Sequence, residues 1–430
     1  MRYLGVCCIV LGLVICAGNL VAQSTETTTD STRQKIKNLE KSVHDLLEKL
    51  EKQEQEDELK KLLEEARKLK AVEKKEEDGV GKKFHTGVRQ QSALNPNISV
   101  SGDFFAGLSS SGADFINDES ERSYGNNGFF LRELELSLLA PLDPFTRGKS
   151  FLSVTEESIS IEEAYMEWLN LPLAMNLKVG LFNAEFGILN RYHDHALPQF
   201  DRPKVLVNYF SVAYLGGFGL AGNFLLPRLL WADASMFDLA VLNGGNGISF
   251  TNEKRSVLAV ANFTNFYDIT HNTFFEWRLG AVTGYNDAEL NRQSVVGNIS
   301  ANLKWIPSDR AKYRTFDWKT EFLYSVRDEP SGSKRSKGFY TSIQNKLNAR
   351  WWLTGRIDYT ELPYDNNQNE WAYTIGADFW QSEFVFLRCQ YQYSKRNYVD
   401  IQDYDGPYPD DHSLIMQVNW AMGPHKHEAY

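Results

Sequence analysis

The chain has 430 residues, with 46 Lys+Arg against 56 Asp+Glu and a formal net charge of −10. That balance excludes a duplex nucleic-acid binder, whose surface must displace counterions with Lys and Arg. Three of its four cysteines, Cys7, Cys8 and Cys16, fall at the very start and only Cys389 follows, which excludes a disulfide framework, a cysteine-ligated zinc ribbon and a CxxC redox site.

The first element is an address. Arg2 gives a positive start, and Leu4 to Leu20 is apolar apart from Gly and one Asn. The run is too short to span a bilayer and reads as a secretory signal peptide over 1–22, cleaved after Ala22 or, alternatively, after Gly18. No small residue precedes Cys16 at the spacing that lipidation needs.

Residues 33–78 are dense in Lys, Arg, Asp and Glu and contain no Gly, Pro or aromatic residue, so the segment is a long helix. Ile36, Leu39, Val43, Leu46 and Leu50 recur at alternating steps of three and four, the seam of a coiled coil. Leu59, Leu62, Ala66 and Leu69 repeat the rhythm in another register, and Gln53, Glu54 and Asp57 interrupt the two. The expectation is a periplasmic coiled coil, followed by a Gly-containing linker over 79–95.

From residue 96 onward the signal has period two. In Thr315 to Arg327, Phe316, Trp318, Phe322, Tyr324 and Val326 share one parity, while Asp317, Lys319, Glu321, Ser325 and Arg327 share the other. Such a strand has one oily and one charged face. Similar segments begin near residues 97, 128, 148, 160, 173, 213, 234, 255, 272, 294, 315, 338, 350, 370, 383 and 412. Several run ten residues or more and carry aromatics near their ends, as at Trp351, Tyr359, Trp371 and Phe379. In hydrocarbon every backbone donor must be paired, so an exported chain without a second long apolar run can cross only as a closed barrel. The predicted fold is all-β, a transmembrane antiparallel barrel of about 16 strands over 96–430. The segments 109–127, 190–211, 325–337 and 395–412 are expected as external loops or inward-folding constrictions.

This region resembles outer-membrane barrels of the phosphate-selective porin O/P superfamily. The resemblance rests on Lys178-Val179-Gly180-Leu181-Phe182, Phe186-Gly187, Val154-Thr155-Glu156-Glu157 and Ile161-Glu162-Glu163-Ala164-Tyr165. Asn190 to His195 with Asp201-Arg202-Pro203 looks like a sub-family associated with zinc-responsive genes. The resemblance implies a homotrimeric porin in the outer membrane, in contact with its lipid, with the N-terminal helix in the periplasm. It also implies a basic lumen, and here this sequence departs from it. Strand parity turns Lys178, Arg278, Lys319, Arg356 and Arg388 inward, but also Glu133, Glu135, Glu163, Glu167, Glu276, Asp317, Glu321, Asp358 and Asp378. The mixture leans acidic, so phosphate selectivity is not carried over. A passive diffusion channel for small hydrophilic solutes or ions is expected, cation-leaning or non-selective and with divalent cations such as zinc as candidate preferred ions; the alternative is a structural anchor whose coiled coil tethers cell wall or a periplasmic partner.

Two imidazoles one residue apart in an extended loop project to the same side, so His193, Asp194 and His195 with Asp201 form a candidate metal set, a way-station for Zn2+ in transit rather than a resident cofactor. The tail His425-Lys426-His427-Glu428-Ala429-Tyr430 is expected to fray. Glu156, Glu157, Glu162 and Glu163 are expected as a solvated wall near a turn. No GxSxG elbow, HExxH helix or phosphate-cradling loop occurs, and no enzyme is expected.

Overall fold

A computed structural model describes residues 96–111, 127–156, 158–211, 214–245, 247–251, 256–308, 310–398 and 409–423. The expected signal peptide, coiled coil and linker, and the histidine-containing tail, lie outside the described residues. So do Glu157 and most of the expected loops 109–127 and 395–412.

Sixteen strands are described: β1 (Asn97–Ser109), β2 (Asn127–Pro141), β3 (Thr146–Val154), β4 (Ile159–Leu171), β5 (Met175–Asn183), β6 (Gly216–Leu226), β7 (Ala234–Asn243), β8 (Val257–Thr270), β9 (Thr273–Asp287), β10 (Arg292–Trp305), β11 (Thr315–Glu329), β12 (Gly332–Lys346), β13 (Trp351–Leu362), β14 (Asp365–Trp380), β15 (Val385–Asn397) and β16 (Asp411–Met422). Each pairs antiparallel with its neighbours in sequence, and β1 closes the ring on β16 from Val100↔Met422 to Ser109↔Ser413. Closure removes every free edge, so the backbone donors and acceptors of the wall are satisfied by the wall itself.

The alternation in sequence becomes an inside and an outside. In β11, Asp317, Lys319, Glu321 and Ser325 are buried while Phe322 and Tyr324 are exposed. Leu220, Val241, Leu279, Ile299, Ile343, Ile375, Leu387 and Met416 likewise stand on the outer face. An outer surface of this kind would be unstable in water and suits acyl chains. Aromatic residues gather at both rims of the outer face: Trp351 meets Phe379 across β13 and β14 at one end, with ring centroids 5.0 Å apart, and Tyr359 meets Trp371 at the other, 4.7 Å apart. Amphipathic rings at two levels mark the interfaces of a bilayer.

One of the expected loops is absent. The segment 325–337 is no long loop: β11 and β12 continue to Glu329 and Gly332, which face each other at a tight hairpin. Arg327, Lys334, Arg335 and Lys337 place charge on both faces there, which hides the period of two. Beyond the apolar band neither face has to be greasy.

Candidate functional site: a loop folded into the lumen

The connection between β5 and β6, described over 184–211 and 214–215, turns into the barrel. Its base is clasped by Asn190, whose Nδ2 donates to Ala184 O and Leu215 O at 2.9 Å each, while Leu215 N donates to Asn190 Oδ1 at 2.8 Å. Among its described residues are a 3-10 turn, Asp194–Ala196, and a short helix, α1 (Lys204–Phe210).

One side of the loop docks through apolar packing. Phe186, Ile188, Leu189, Leu206, Tyr209 and Phe210 share a core with inward residues of β7 to β12, among them Leu242, Val260, Val282, Leu323 and Tyr340. The contact is close. Gly187 has φ +60°, and a Cβ there would lie 2.1 Å from Glu321 Oε1, so glycine alone fits between the loop and β11. Glu321 accepts from Ile188 N at 3.0 Å, and Arg278 donates to Gly187 O at 2.7 Å.

The other side docks through charge. Asp201 pairs with Arg356 at 2.8 Å and accepts from Gln390 and Gln392 at 2.8 and 2.9 Å. Arg388 donates to Leu197 O, and Arg132 donates to Phe200 O. The Phe200 ring packs 4.7 Å from Phe105 of β1. Burial by itself would raise the Asp201 carboxyl, but the Arg356 guanidinium beside it holds it well below the usual carboxylate range. With Arg278 on β9 and Glu321 on β11 at one end and Phe105 on β1 and Arg132 on β2 at the other, the loop touches the wall on opposite sides and crosses the lumen.

Against β2 and β4 the loop brings two buried histidines to a group of carboxylates. His193 Nδ1 lies 2.8 Å from both Glu135 Oε2 and Glu162 Oε2, and its Nε2 lies 3.5 Å from Glu163. His195 Nδ1 lies 3.3 Å from Glu133 and 3.5 Å from Glu135. Burial disfavours charge on both rings, yet the surrounding glutamates hold both above the ordinary imidazole value, His193 well above. Two bulges build this spot. In β2 the register slips so that Asp103 faces Glu133 and Phe104 faces Leu131, leaving Arg132 as the extra residue. In β4, Phe151 faces Glu163 and Leu152 faces Ile161, leaving Glu162 as the extra residue. A bulge re-aims one side chain, and here each adds a charged group to the same patch of the inner wall.

The metal set expected from sequence is not what the loop assembles. Asp194 is held by Arg132 and Arg202, at 2.9 and 3.2 Å; burial would raise its carboxyl, but these two guanidiniums lower it. Asp201 belongs to the Arg356 network on another part of the wall. The partners of His193 and His195 are instead Glu133, Glu135, Glu162 and Glu163. The last two are no solvated wall, since both turn to His193. Glu162 was illegible to a strict period of two, because the bulge that turns it inward has no signature in residue type.

Of the residues expected to line the lumen, Glu133, Glu135, Glu163, Glu167, Asp317, Lys319, Glu321, Arg356, Asp358, Asp378 and Arg388 are buried inside the barrel, and Lys178, Glu276 and Arg278 are half-buried. They come largely as opposite charges side by side. Asp317 with Lys319, Arg356 with Asp358, and Glu276 with Arg278 are neighbours two residues apart on one strand; Asp378 pairs with Arg388, and Glu167 with Arg147, across strands. Two cavities border the loop. One of about 430 Å3 is lined by Trp352, Trp380 and Phe386 together with Lys319, Asp378 and Arg388. The other, about 260 Å3, is lined by Lys149, Lys178, Arg191 and Arg278 together with Glu167, Glu185 and Asp238.

No family model matches the sequence. The chain is 25% identical over 389 residues to an uncharacterized protein of Aquifex aeolicus, an alignment covering 78% of this chain and 80% of that protein. Among solved structures the fold is similar to the anion-selective porin from Comamonas acidovorans, with a TM-score of 0.52 at 8% identity over 76% of this chain and 100% of that one. It is also similar to the outer membrane channel DcaP of Acinetobacter baumannii (TM-score 0.51, 12% identity, 78% and 99%) and to the trimer form of OmpT, an outer membrane protein of Vibrio cholerae (0.50, 8%, 76% and 100%). At such identities the likeness is one of fold: a closed sixteen-stranded antiparallel barrel of the kind outer-membrane porins form.

Proposed function

We propose that the chain is an outer-membrane porin, a passive diffusion channel for small hydrophilic solutes or ions, constricted by the loop 184–215. The observation that carries this reading is a closed barrel with an apolar outer face whose charged interior is crossed by a docked loop bordered by cavities with charged side chains in their lining. A wall of this kind excludes lipid on one side, while charged and amide side chains replace water around a solute on the other. Similarity to outer-membrane channels of known structure supports the same reading, and the trimer form of the Vibrio cholerae protein makes a homotrimer the assembly to look for.

Selectivity follows from the charge layout. A one-sign ladder would focus a strong field and select the opposite ion; opposite charges set side by side largely cancel within a few ångströms. The channel is therefore weakly selective, with a modest lean toward cations because inward carboxylates outnumber inward Lys and Arg. The test is the reversal potential of purified protein in a planar bilayer across a KCl gradient. A small potential of the sign for cation preference is expected, and strong anion selectivity contradicts this part of the reading.

A further inference from the structure

We infer that Glu135, Glu162 and His193 bind a divalent transition-metal cation, which clasps the inward loop to β2 and β4. The three ligand atoms, one carboxylate oxygen from each glutamate and one imidazole nitrogen, lie within 4.8 Å of one another. That spacing lets small side-chain shifts bring them to the metal–ligand distances of about 2 Å typical of Zn2+. The three come from separate segments, two strands of the wall and the loop, so a bound ion joins elements far apart in sequence and acts on the loop's position.

The second line of argument is the other face of the imidazole. His193 Nε2 lies 3.5 Å from Glu163 Oε2, within reach of the arrangement in which a carboxylate takes the far N–H of a metal-bound histidine and fixes its tautomer. Phe151 and Tyr214 flank the ring, with centroids 4.8 and 5.9 Å away, and limit its rotation. Ligand and orienting group are thus both in place on one side chain.

The third is charge. Asp103, Glu133, Glu135, Glu162, Glu163 and Asp194 surround Arg132, Arg202, His193 and His195. Six carboxyl groups thus face two guanidiniums and two imidazoles. A divalent ion adds positive charge to a patch in which carboxyl groups are in the majority, which favours binding in a poorly hydrated site. A mixed imidazole and carboxylate set selects ions such as Zn2+, Co2+ or Ni2+ over Mg2+ and Ca2+, which prefer oxygen alone.

The experiment is calorimetric titration of Zn2+ into the full-length protein, purified in detergent and stripped with a chelator. Folding of every variant is checked by its heat-modifiable electrophoretic mobility. One high-affinity site is expected in the parent. It is expected to be lost in His193→Ala and Glu162→Gln, to weaken by about ten- to a hundredfold in Glu163→Gln, and to persist when His425 and His427 are both changed to alanine. A parent without such a site, a site that survives both His193→Ala and Glu162→Gln, or a site that disappears with the tail histidines overturns the proposal. Should His193→Ala fail to fold, the near-isosteric Glu162→Gln decides. Replacing Zn2+ by Mg2+ in the parent gives no comparable site if the ligand set is as assigned, and equal binding of Mg2+ also overturns it.

Discussion

The two sides of the inward loop are held by different physics. Toward β7 to β12, Leu189, Leu206 and Phe210 are buried in an apolar core with Leu242, Val260 and Leu323. Toward β2, β13 and β15 the loop is tied by Arg132, Arg356 and Arg388 to carboxylates and backbone carbonyls. Apolar burial is non-directional and indifferent to pH, so it fixes that the loop lies inside the barrel. Ion pairs are directional and depend on protonation, so they set how the loop lies and which charges it leaves facing the pore.

The largest effect is expected from removing both attachments. Replacing residues 186–211 by a short Gly-Ser turn should raise single-channel conductance several-fold, and an unchanged conductance would mean that the loop does not constrict the pore. On the charged side, Asp201→Ala leaves the buried Arg356 with Asp358 as its remaining carboxylate. A loss on the order of 3–5 kcal/mol is expected by analogy with other broken buried pairs, measured by denaturant unfolding in lipid vesicles. On the apolar side, Leu189→Ala should cost about 2–5 kcal/mol from lost transfer energy and a cavity, with the same value at pH 7 and pH 4.

The smallest effect is the one that separates the two walls most cleanly. Arg356 depresses the Asp201 carboxyl, so this group stabilises the fold fully above its unfolded value of about 4, and that contribution fades as pH falls through the lower folded value. The stability difference between the parent and Asp201→Asn should therefore stay constant from pH 8 to pH 5 and shrink in acid below about pH 4. A difference that instead grows in acid would reverse the assigned sign.

The barrel was legible in the sequence because lipid on one face and water on the other impose a period of two on every strand. That is why Lys319, Glu321 and Asp358 were placed inside from parity alone. It was less legible wherever that contrast lapses. Arg327 to Lys337 extends past the apolar band and looks like a loop. Leu323 faces inward although apolar, because the interior it meets is the loop's core and not water. Glu162 is inward because of a bulge, a backbone event that leaves no residue-type mark. The histidine pair was visible as a motif, but its partners were not: the nearest carboxylates in sequence, Asp194 and Asp201, are claimed by arginines from β2 and β13, and strands distant in sequence supply the glutamates.

The central claim, an open channel through a lipid-embedded barrel, is tested most directly by single-channel recording of the purified full-length protein in planar bilayers. Discrete, ohmic conductance steps are expected. A protein that inserts and folds yet gives no steps across repeated insertions would contradict the claim and leave the barrel as an anchor.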